Sequence, residues 1–550
     1  MVALLDRISL LFYTVIHLRW QQVWFRLYYR LRKPQVIRMP VGAVPHAQLQ
    51  WQSPCVLQQS YFDDSKVCYL GEDGQIADAA DWNNRAKSKL WLYNLHYFDD
   101  LNAQNSELRV SSHQRLIHRW IGENPATAGN GWEPYPLSLR LVNWIKWCSR
   151  ERKYDESVVG SIVQQADALA KQLEYHILGN HLFANAKALV FVGVFLTGTA
   201  AEKKLKKGLS ILRQQIPEQF LADGGHFELS PMYHAIVLWD LLDLINLAQV
   251  SNKPELTAEV DSWKEFAVRA IKWLQVMTHP DGEISFFNDS AMRIAARPAQ
   301  IVAYGRQLGL VMLEEPPQSH VLLPASGYSR INMPDHTVLV DHAAVGPDYL
   351  PGHAHADSLS FEWSVGNHRV LVNSGTSLYG DSAERLRQRQ TAAHNTVVVE
   401  KKDSSEVWSG FRVARRAHSE LVSADISKDG VALVMSHNGY RRLPGKVIHE
   451  RTVKVSETSL QVIDRLYGSF HQAAAMFHLH PAVVATRLDE HHIKLTLSSG
   501  TQVLVSSGSV VEIADVSWHP QFGGSVPSKK LQLSFEAPEI NITFSLLSGS

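Results

Sequence analysis

Residues 182–196 read LFANAKALVFVGVFL, a stretch that is apolar on every side of the helix its spacing predicts. Such a helix must be enclosed by others, because a helix on a protein surface keeps one polar face. Upstream, Leu141, Val142 and Ile145, then Val158, Val159, Ile162, Val163, Ala166, Leu169 and Leu173 recur at helical spacing, so helices are expected from about Leu137 to Leu310. Trp263 to Met277 carries charges on one face. Enclosed and peripheral helices in succession predict two concentric helical layers.

After about Ser326 the texture changes. Leu359-Ser360-Phe361-Glu362-Trp363-Ser364-Val365 alternates apolar and polar residues, then Gly366-Asn367 and Val370-Leu371-Val372 complete a hairpin signal. Asp429-Gly430 and Ser499-Gly500 mark further turns, and strand-like runs continue to Leu547, which predicts an antiparallel β-sandwich. The fold class expected is α+β multidomain: a mixed opening segment over 1–90, a helical domain over 91–320 and a sandwich over 321–550. In the opening segment, Ser65 to Leu70 reads as a strand bounded by Gly71 and an Asp73-Gly74 turn. With no Pro/Gly linker between the halves, a cleft is expected near their junction.

Composition narrows the function. Lys+Arg and Asp+Glu both number 54, which argues against a nucleic-acid binder with a general basic surface. The 26 His and 15 Trp suit sugar work, since aromatic faces stack on pyranose rings and imidazoles bond hydroxyls and carboxylates. Cys55, Cys68 and Cys148 are too few and scattered for a disulfide framework or a thiolate metal cluster. Met1 to Arg19 reads as a helix and not a signal peptide, and no run reaches the roughly 18 uncharged apolar residues of a membrane span. A cytoplasmic location is expected, with the periplasm as the alternative. Trp20, Trp24, Phe25, Tyr28 and Tyr29, interleaved with Arg19, Arg26 and Arg30, look amphipathic; packing against the body is preferred to membrane contact.

Four stretches concentrate polar residues. In Gly179-Asn180-His181-Leu182-Phe183-Ala184-Asn185, Asn180 reads either as the N-cap of the apolar helix or, with His181, as an anion site at its positive end. Asp223 to His234 (DGGHFELSPMYH) is an irregular loop that opens a helix and holds Tyr233 beside His234; Tyr233 is either functional or packed by its ring. Pro280 to Ser290 is a turn with acidic and amide groups that positions its neighbours. Gly352-His353-Ala354-His355-Ala356-Asp357, with Asn373 to Thr376 and Ala393 to Thr396, brings His353, His355 and His394 together. On a strand, His353 and His355 would share a face, as zinc ligands or as carboxylate donors.

The segments GNHLF, DGGHFELSPMYH, GHAHADSLSFE and NSGT…AHNTV, in that order, resemble the heparinase II/III-like polysaccharide lyases, and through them certain alginate lyases and dermatan sulfate epimerases. The resemblance covers about Asn94 to Pro481 and implies an α/α toroid, an incomplete double ring of helices, followed by an antiparallel β-sandwich. Carried over by position, it makes Tyr233 the catalytic acid/base and His181 a partner base. Asn180 and His353 then serve the substrate carboxylate, and His355, Asn373 and His394 are the counterparts of a one-zinc site. Two departures stand out: Asn373 replaces the family's aspartate ligand, and Ala184 and Asn185 occupy a neighbourhood where some members carry an acid. Further substrate-binding candidates are His234, Glu228, Trp132, Tyr135, Arg140, Tyr379 and Arg389; Tyr93, His96 and Tyr97 are added as sugar platforms and Arg385 as an anion contact.

The expected reaction is β-elimination in an anionic, uronic-acid-containing polysaccharide. Abstracting the C5 proton builds an enolate-like dianion that hydrogen-bond donors must neutralise, and the 4-oxygen leaves with an unsaturated uronate behind. The rivals are a C5 epimerase on the same scaffold, a glycoside hydrolase using Glu228 and Asp289 as paired carboxylates, and a non-catalytic glycan-binding protein of surface-polysaccharide assembly.

Overall fold

The computed structural model describes residues 2–32, 44–45, 49, 51–311 and 318–547. The junction at 312–317, where no Pro/Gly linker is expected, and part of the opening segment lie outside the described residues. The helices in chain order are α1 (Val2–Val15), α2 (Trp20–Leu31), α3 (Lys89–Tyr97), α4 (Val110–Glu123), α5 (Pro134–Glu151), α6 (Glu156–Ala170), α7 (Gly179–Phe195), α8 (Thr199–Gln219), α9 (Pro231–Ser251), α10 (Pro254–Thr257), α11 (Val260–Val276) and α12 (Pro298–Gln307). Of these, α3 to α12 form the toroid, whose shared core runs from Trp51 through Trp144 and Phe191 to Ile271. No described residue of α1 or α2 belongs to that core, and a further short helix, Ala383–Arg389, lies in the sandwich half. The apolar helix read first from the sequence is α7, in which every residue but His181 is buried. That exception matters, because the single side chain the helix leaves open is the one the motif points to.

The sandwich begins with a five-stranded antiparallel sheet, His320–Leu323, Tyr328–Asn332, His336–Asp341, Phe361–Val365 and His368–Leu371 in sequence order. This sheet and a four-stranded one (Glu512–Trp518, Val526–Phe535, Ala473–His478, Val397–Val399) share a core with an eight-stranded sheet running from Ser419–Ser427 at one edge to Val484–Arg487 at the other. The predicted hairpin is present, with Val365 opposite His368 and Gly366 at φ +51° in its turn. Its alternation does not mark a solvent face, however, since all of Phe361–Val365 is buried. Phe361 and Trp363 look into the sandwich core, while Glu362 and Ser364 look towards the toroid and bond His279. The polar positions form the inter-domain seam.

In the opening segment the turn falls at Leu70 and Gly71, both at positive φ, and not at Asp73-Gly74. Gly74 lies within the strand Glu72–Gln75, where a Cβ would sit 2.3 Å from the Trp91 ring, so close approach explains this glycine.

Candidate active site

A cleft of about 2000 Å³ runs between the toroid and the sandwich. Asn180, His181, Glu228, Tyr233, His353 and Tyr379 all line it.

Three local devices bring these side chains there. Gly179, at φ +55°, starts α7 in a position where a Cβ would lie 2.5 Å from Leu350 and 3.1 Å from Glu228 Oε1, so only glycine lets this helix end approach the cleft. Asn180 is therefore inside the first turn and is not the N-cap; its Nδ2 faces the Tyr135 hydroxyl at 3.5 Å. Ser230 caps α9 by accepting from the Tyr233 N–H at 3.1 Å, with Pro231 next in the first turn, which fixes where the Tyr233 side chain leaves the helix. The third device is Asp289, fully buried, which accepts His353 Nδ1 and His355 Nε2, each at 2.8 Å, together with Thr376 Oγ1 and both terminal nitrogens of Arg385. His353 and His355 lie in a loop and not on a strand, so the shared carboxylate aligns them, not a pleat.

The electrostatics then divide the roles. Burial opposes charge on His181, but the Glu174 carboxylate 2.9 Å from its Nδ1 outweighs this and raises its pKa. Glu174 is held by Asn185, whose Nδ2 donates to Oε2 and whose Oδ1 accepts the Glu174 N–H. Burial, the adjacent Tyr379 and the Asp289 charge push the Tyr233 phenol well above its ordinary value, so Tyr233 rests as a neutral hydroxyl, 2.9 Å from the Tyr379 hydroxyl. Its ring stacks on His353 with centroids 3.9 Å apart. Because His353 donates Nδ1–H to Asp289, its Nε2 carries a lone pair on the cleft side, 3.8 Å from Glu228 Oε2. Burial raises the Glu228 carboxyl above the usual range, and its oxygens make no hydrogen bond of good geometry.

The structure turns several sequence candidates away from the cleft. Arg140 is fully buried and donates to Gln165 and to the carbonyls of His96 and Gly131, with Trp120 beneath it. Arg389 donates to the Ala354 and Ser409 carbonyls, and so braces the His353–His355 loop. Arg385 is spent on Asp289. His234 is buried between the His226 N–H and the Ala270 carbonyl, against the Trp273 ring. Trp132 packs on Trp120 and donates to Asn124, and His96 lies in the same core. These five candidates and His96 are structural because their polar atoms are already matched to the protein. Tyr135, Tyr93 and Tyr97 do face the cleft. The hydrolase pair also dissolves: Asp289 is held well below the usual carboxylate range by Arg385 and the two histidines, leaving no free partner for Glu228.

The implied zinc can be tested on tautomers. His355 Nδ1 and His394 Nε2 face each other at 3.0 Å. Their outer nitrogens meet obligate acceptors, Asp289 Oδ1 and the Gln390 carbonyl, so both must donate outward and both inner nitrogens present lone pairs. Another histidine pair shows the alternative. His437 Nδ1 accepts the Gly439 N–H, which leaves its Nε2–H free to donate to His449 and satisfies that pair without help. The His355–His394 pair instead needs a positive centre between the rings, which one shared proton or a metal cation supplies. Asn373 Oδ1 accepts the Asn395 N–H at 3.2 Å and is a neutral third donor; among the described residues no group of three or more His, Cys, Asp or Glu converges.

Comparison with known proteins agrees with the architecture. The heparinase II/III N-terminus model matches residues 150–304, and the heparinase II/III-like C-terminal model matches residues 315–546. A heparin-sulfate lyase of Bacteroides thetaiotaomicron is 25% identical over 226 residues, 36% of this chain and 32% of that protein. A heparin-sulfate lyase of Pedobacter heparinus is 28% identical over 262 residues, 44% of this chain and 39% of that protein. The matched stretches thus span less than half the length of these relatives. A heparinase III crystal structure superposes with a TM-score of 0.67 at 16% identity, covering 96% of this chain and 90% of that one. A heparan sulfate lyase from Pedobacter heparinus gives 0.57 at 16%, covering 96% and 88%. With both of the family's domain models matched in order on a toroid and a sandwich, the chain belongs to the heparinase II/III-like family.

Proposed function

We propose that this chain is a polysaccharide lyase acting on an anionic, uronic-acid-containing polysaccharide. The observation that carries the reading is the cleft in which an Asp289-oriented His353, a neutral Tyr233 phenol and the Asn180–His181 pair at the start of α7 surround one space. The Asn180 amide and the His181 cation, beside the positive end of α7, receive the uronate carboxylate and stabilise the charge that builds as C5 loses its proton. His353 Nε2 takes that proton, and Asp289 stabilises the imidazolium that forms. Tyr233 donates its hydroxyl proton to the departing 4-oxygen, which closes the elimination without water. This reverses two roles expected from the sequence: His181, with Glu174 favouring its charged form, serves the carboxylate with Asn180, and His353, whose Nδ1 is held by Asp289, presents its Nε2 to the cleft as the base.

Incubation with a panel of uronic-acid polymers should release products with the ultraviolet absorbance of a conjugated double bond. Solvent deuterium entering an uncleaved polymer would indicate epimerisation instead, and saturated ends alone would overturn the reading.

Glu174 gives a finer test. Glu174→Gln removes the charge that keeps His181 protonated, so the alkaline limb of the pH–rate profile should move to lower pH, with activity about tenfold below wild type at mildly alkaline pH. A limb that stays in place would show that His181 need not be charged.

Zinc is proposed to bind between His355 Nδ1 and His394 Nε2, with Asn373 Oδ1 beside them. When bound there, it supplies fixed positive charge that locks the His355–Asp289 side of the site. Adding zinc to chelator-treated protein should raise the thermal midpoint by about 5 °C. His394→Ala should abolish that rise, and an equal rise in the variant would place the metal elsewhere.

A further inference from the structure

The helices α1 and α2 lie across the seam of the molecule with one face engaged. Tyr29 donates to the Leu173 carbonyl, Phe25 stacks on Tyr175, Gln22 donates to the Tyr349 carbonyl, and Thr14 accepts from Trp408. Packing against the body, as the sequence suggested, accounts for that face. The opposite face is apolar and open. On α1, Leu5, Ile8 and Phe12 follow one another at i, i+3 and i+7; on α2, Trp20, Trp24 and Leu27 follow at i, i+4 and i+7. Phe12 is 59% exposed, Leu27 54% and Trp20 73%, and the Trp20 and Trp24 rings lie 5.5 Å apart. Large apolar side chains aligned over two successive helices differ from the scattered exposed residues of an ordinary surface.

Charge decides among the occupants. In a chain whose formal net charge is +0, the first 32 residues carry five arginines, Arg7, Arg19, Arg26, Arg30 and Arg32, against the single acid Asp6. All five are exposed, but Arg19 is ion-paired with Glu218 and lies over the Tyr349 ring, so Arg7, Arg26, Arg30 and Arg32 carry the excess charge. A second copy of the chain docking by a two-fold axis would bring these arginines face to face and repel. An anionic lipid surface complements them. Two exposed tryptophans beside an apolar stripe also match the headgroup level of a bilayer, where indole's apolar body and polar N–H are both satisfied. Among the described residues no helix is long and apolar enough to cross a membrane, so the contact is one that lies on the surface.

We infer that α1 and α2 form an in-plane docking surface for a bilayer rich in anionic lipid. Leu11, Leu18 and Gln22 of the same segment also line the cleft, so docking sets the cleft rim beside the bilayer, where polysaccharide held at a membrane surface meets it first. The docking surface itself does not depend on the lyase reading.

The test is flotation of the full chain with phosphatidylcholine vesicles made with and without phosphatidylglycerol. The wild type should float with the anionic vesicles and be released by high salt. Phe12→Glu combined with Leu27→Glu should lower the floating fraction by about tenfold or more, because two acids then face the lipid. Both positions are exposed, so far-ultraviolet circular dichroism and the thermal midpoint should be unchanged. Brominated lipid should quench wild-type fluorescence more than that of a Trp20→Phe, Trp24→Phe variant. Equal flotation of wild type and the double glutamate variant, or no flotation of either, would overturn the inference. So would a wild type that self-associates, becomes monomeric in the variant and ignores vesicles, which would assign the face to a second copy.

Discussion

Tyr233→Phe is expected to lower turnover by about three orders of magnitude while leaving the fold intact, since a positioned proton donor contributes on the order of 10²–10⁴-fold. The hydroxyl makes one hydrogen bond, to Tyr379, so its loss removes only about 1 kcal/mol of stability. The ring contact with His353 and the Ser230 cap of α9 both survive the change. The deficit should thus appear in kcat, followed as release of unsaturated product, with KM nearly unchanged because carboxylate binding rests on Asn180 and His181. Tyr379→Phe makes the control. It removes the same hydrogen bond from the other side and should cost far less, since Tyr379 is a neighbour of the proton donor and not its replacement. If both variants lose activity equally, the proton comes through the pair and not from Tyr233 alone. If neither does, the proposed elimination has no acid.

Much of the fold was legible because both hydrophobic periods are strong. The all-apolar α7 demanded enclosure, and the sandwich strands alternate cleanly, as in Gly430–His437, whose burial alternates residue by residue. Burial at the seam was not legible. Glu362 and Ser364 look like solvent-facing residues in any half-buried strand, yet they meet His279 from the other domain. The same blindness explains the site. Asn180, His181, Tyr233 and His353 could be named because motif order survives in sequence, whereas Glu174 could not, since nothing in an isolated acid says which histidine it will face. In sequence Asp289 is compatible with a positioning residue or with half of a hydrolase pair, and only its partners decide. Residue type alone makes Arg140, Arg389 and Arg385 candidates for an anionic substrate. Each is buried with its donors spent on backbone carbonyls, on Gln165 or on Asp289, a possibility that composition cannot display.

Mild acid is expected to destabilise the protein steeply. Burial lowers the pKa of His96, His234 and His478 to about 3 in the folded chain, against an ordinary value near 6.5. Each stays neutral in the native state, where its ring nitrogen faces a backbone carbonyl and no carboxylate: Trp82, Ala270 and Ala392 respectively. The unfolded chain takes up protons on these groups as the pH falls below about 6.5, and the native chain does not until far lower, so stability is full above that value and declines beneath it. Each group loses about 1.4 kcal/mol per pH unit in this window, or about 6 kcal/mol for the three together by pH 5. That is comparable with the whole folding stability of a typical domain, about 5–15 kcal/mol. His181 and the carboxyls whose pKa burial raises, Asp99 at about 6 together with Glu228 and Asp341, act in the opposite sense. Further histidines held neutral by burial, His226, His342, His437 and His480 among them, add to the three. Asp289, depressed by its ion pair, contributes stability that is complete above the ordinary carboxylate range and is lost only as pH falls through its still lower native value, so it is silent here. Urea unfolding followed from neutral pH downward should therefore show stability falling by about 4 kcal/mol per pH unit once below about pH 6.5. A flat profile down to the carboxylate range would mean that these imidazoles reach water or a counter-charge in the native state, and that the polar interior is more open than its packing indicates.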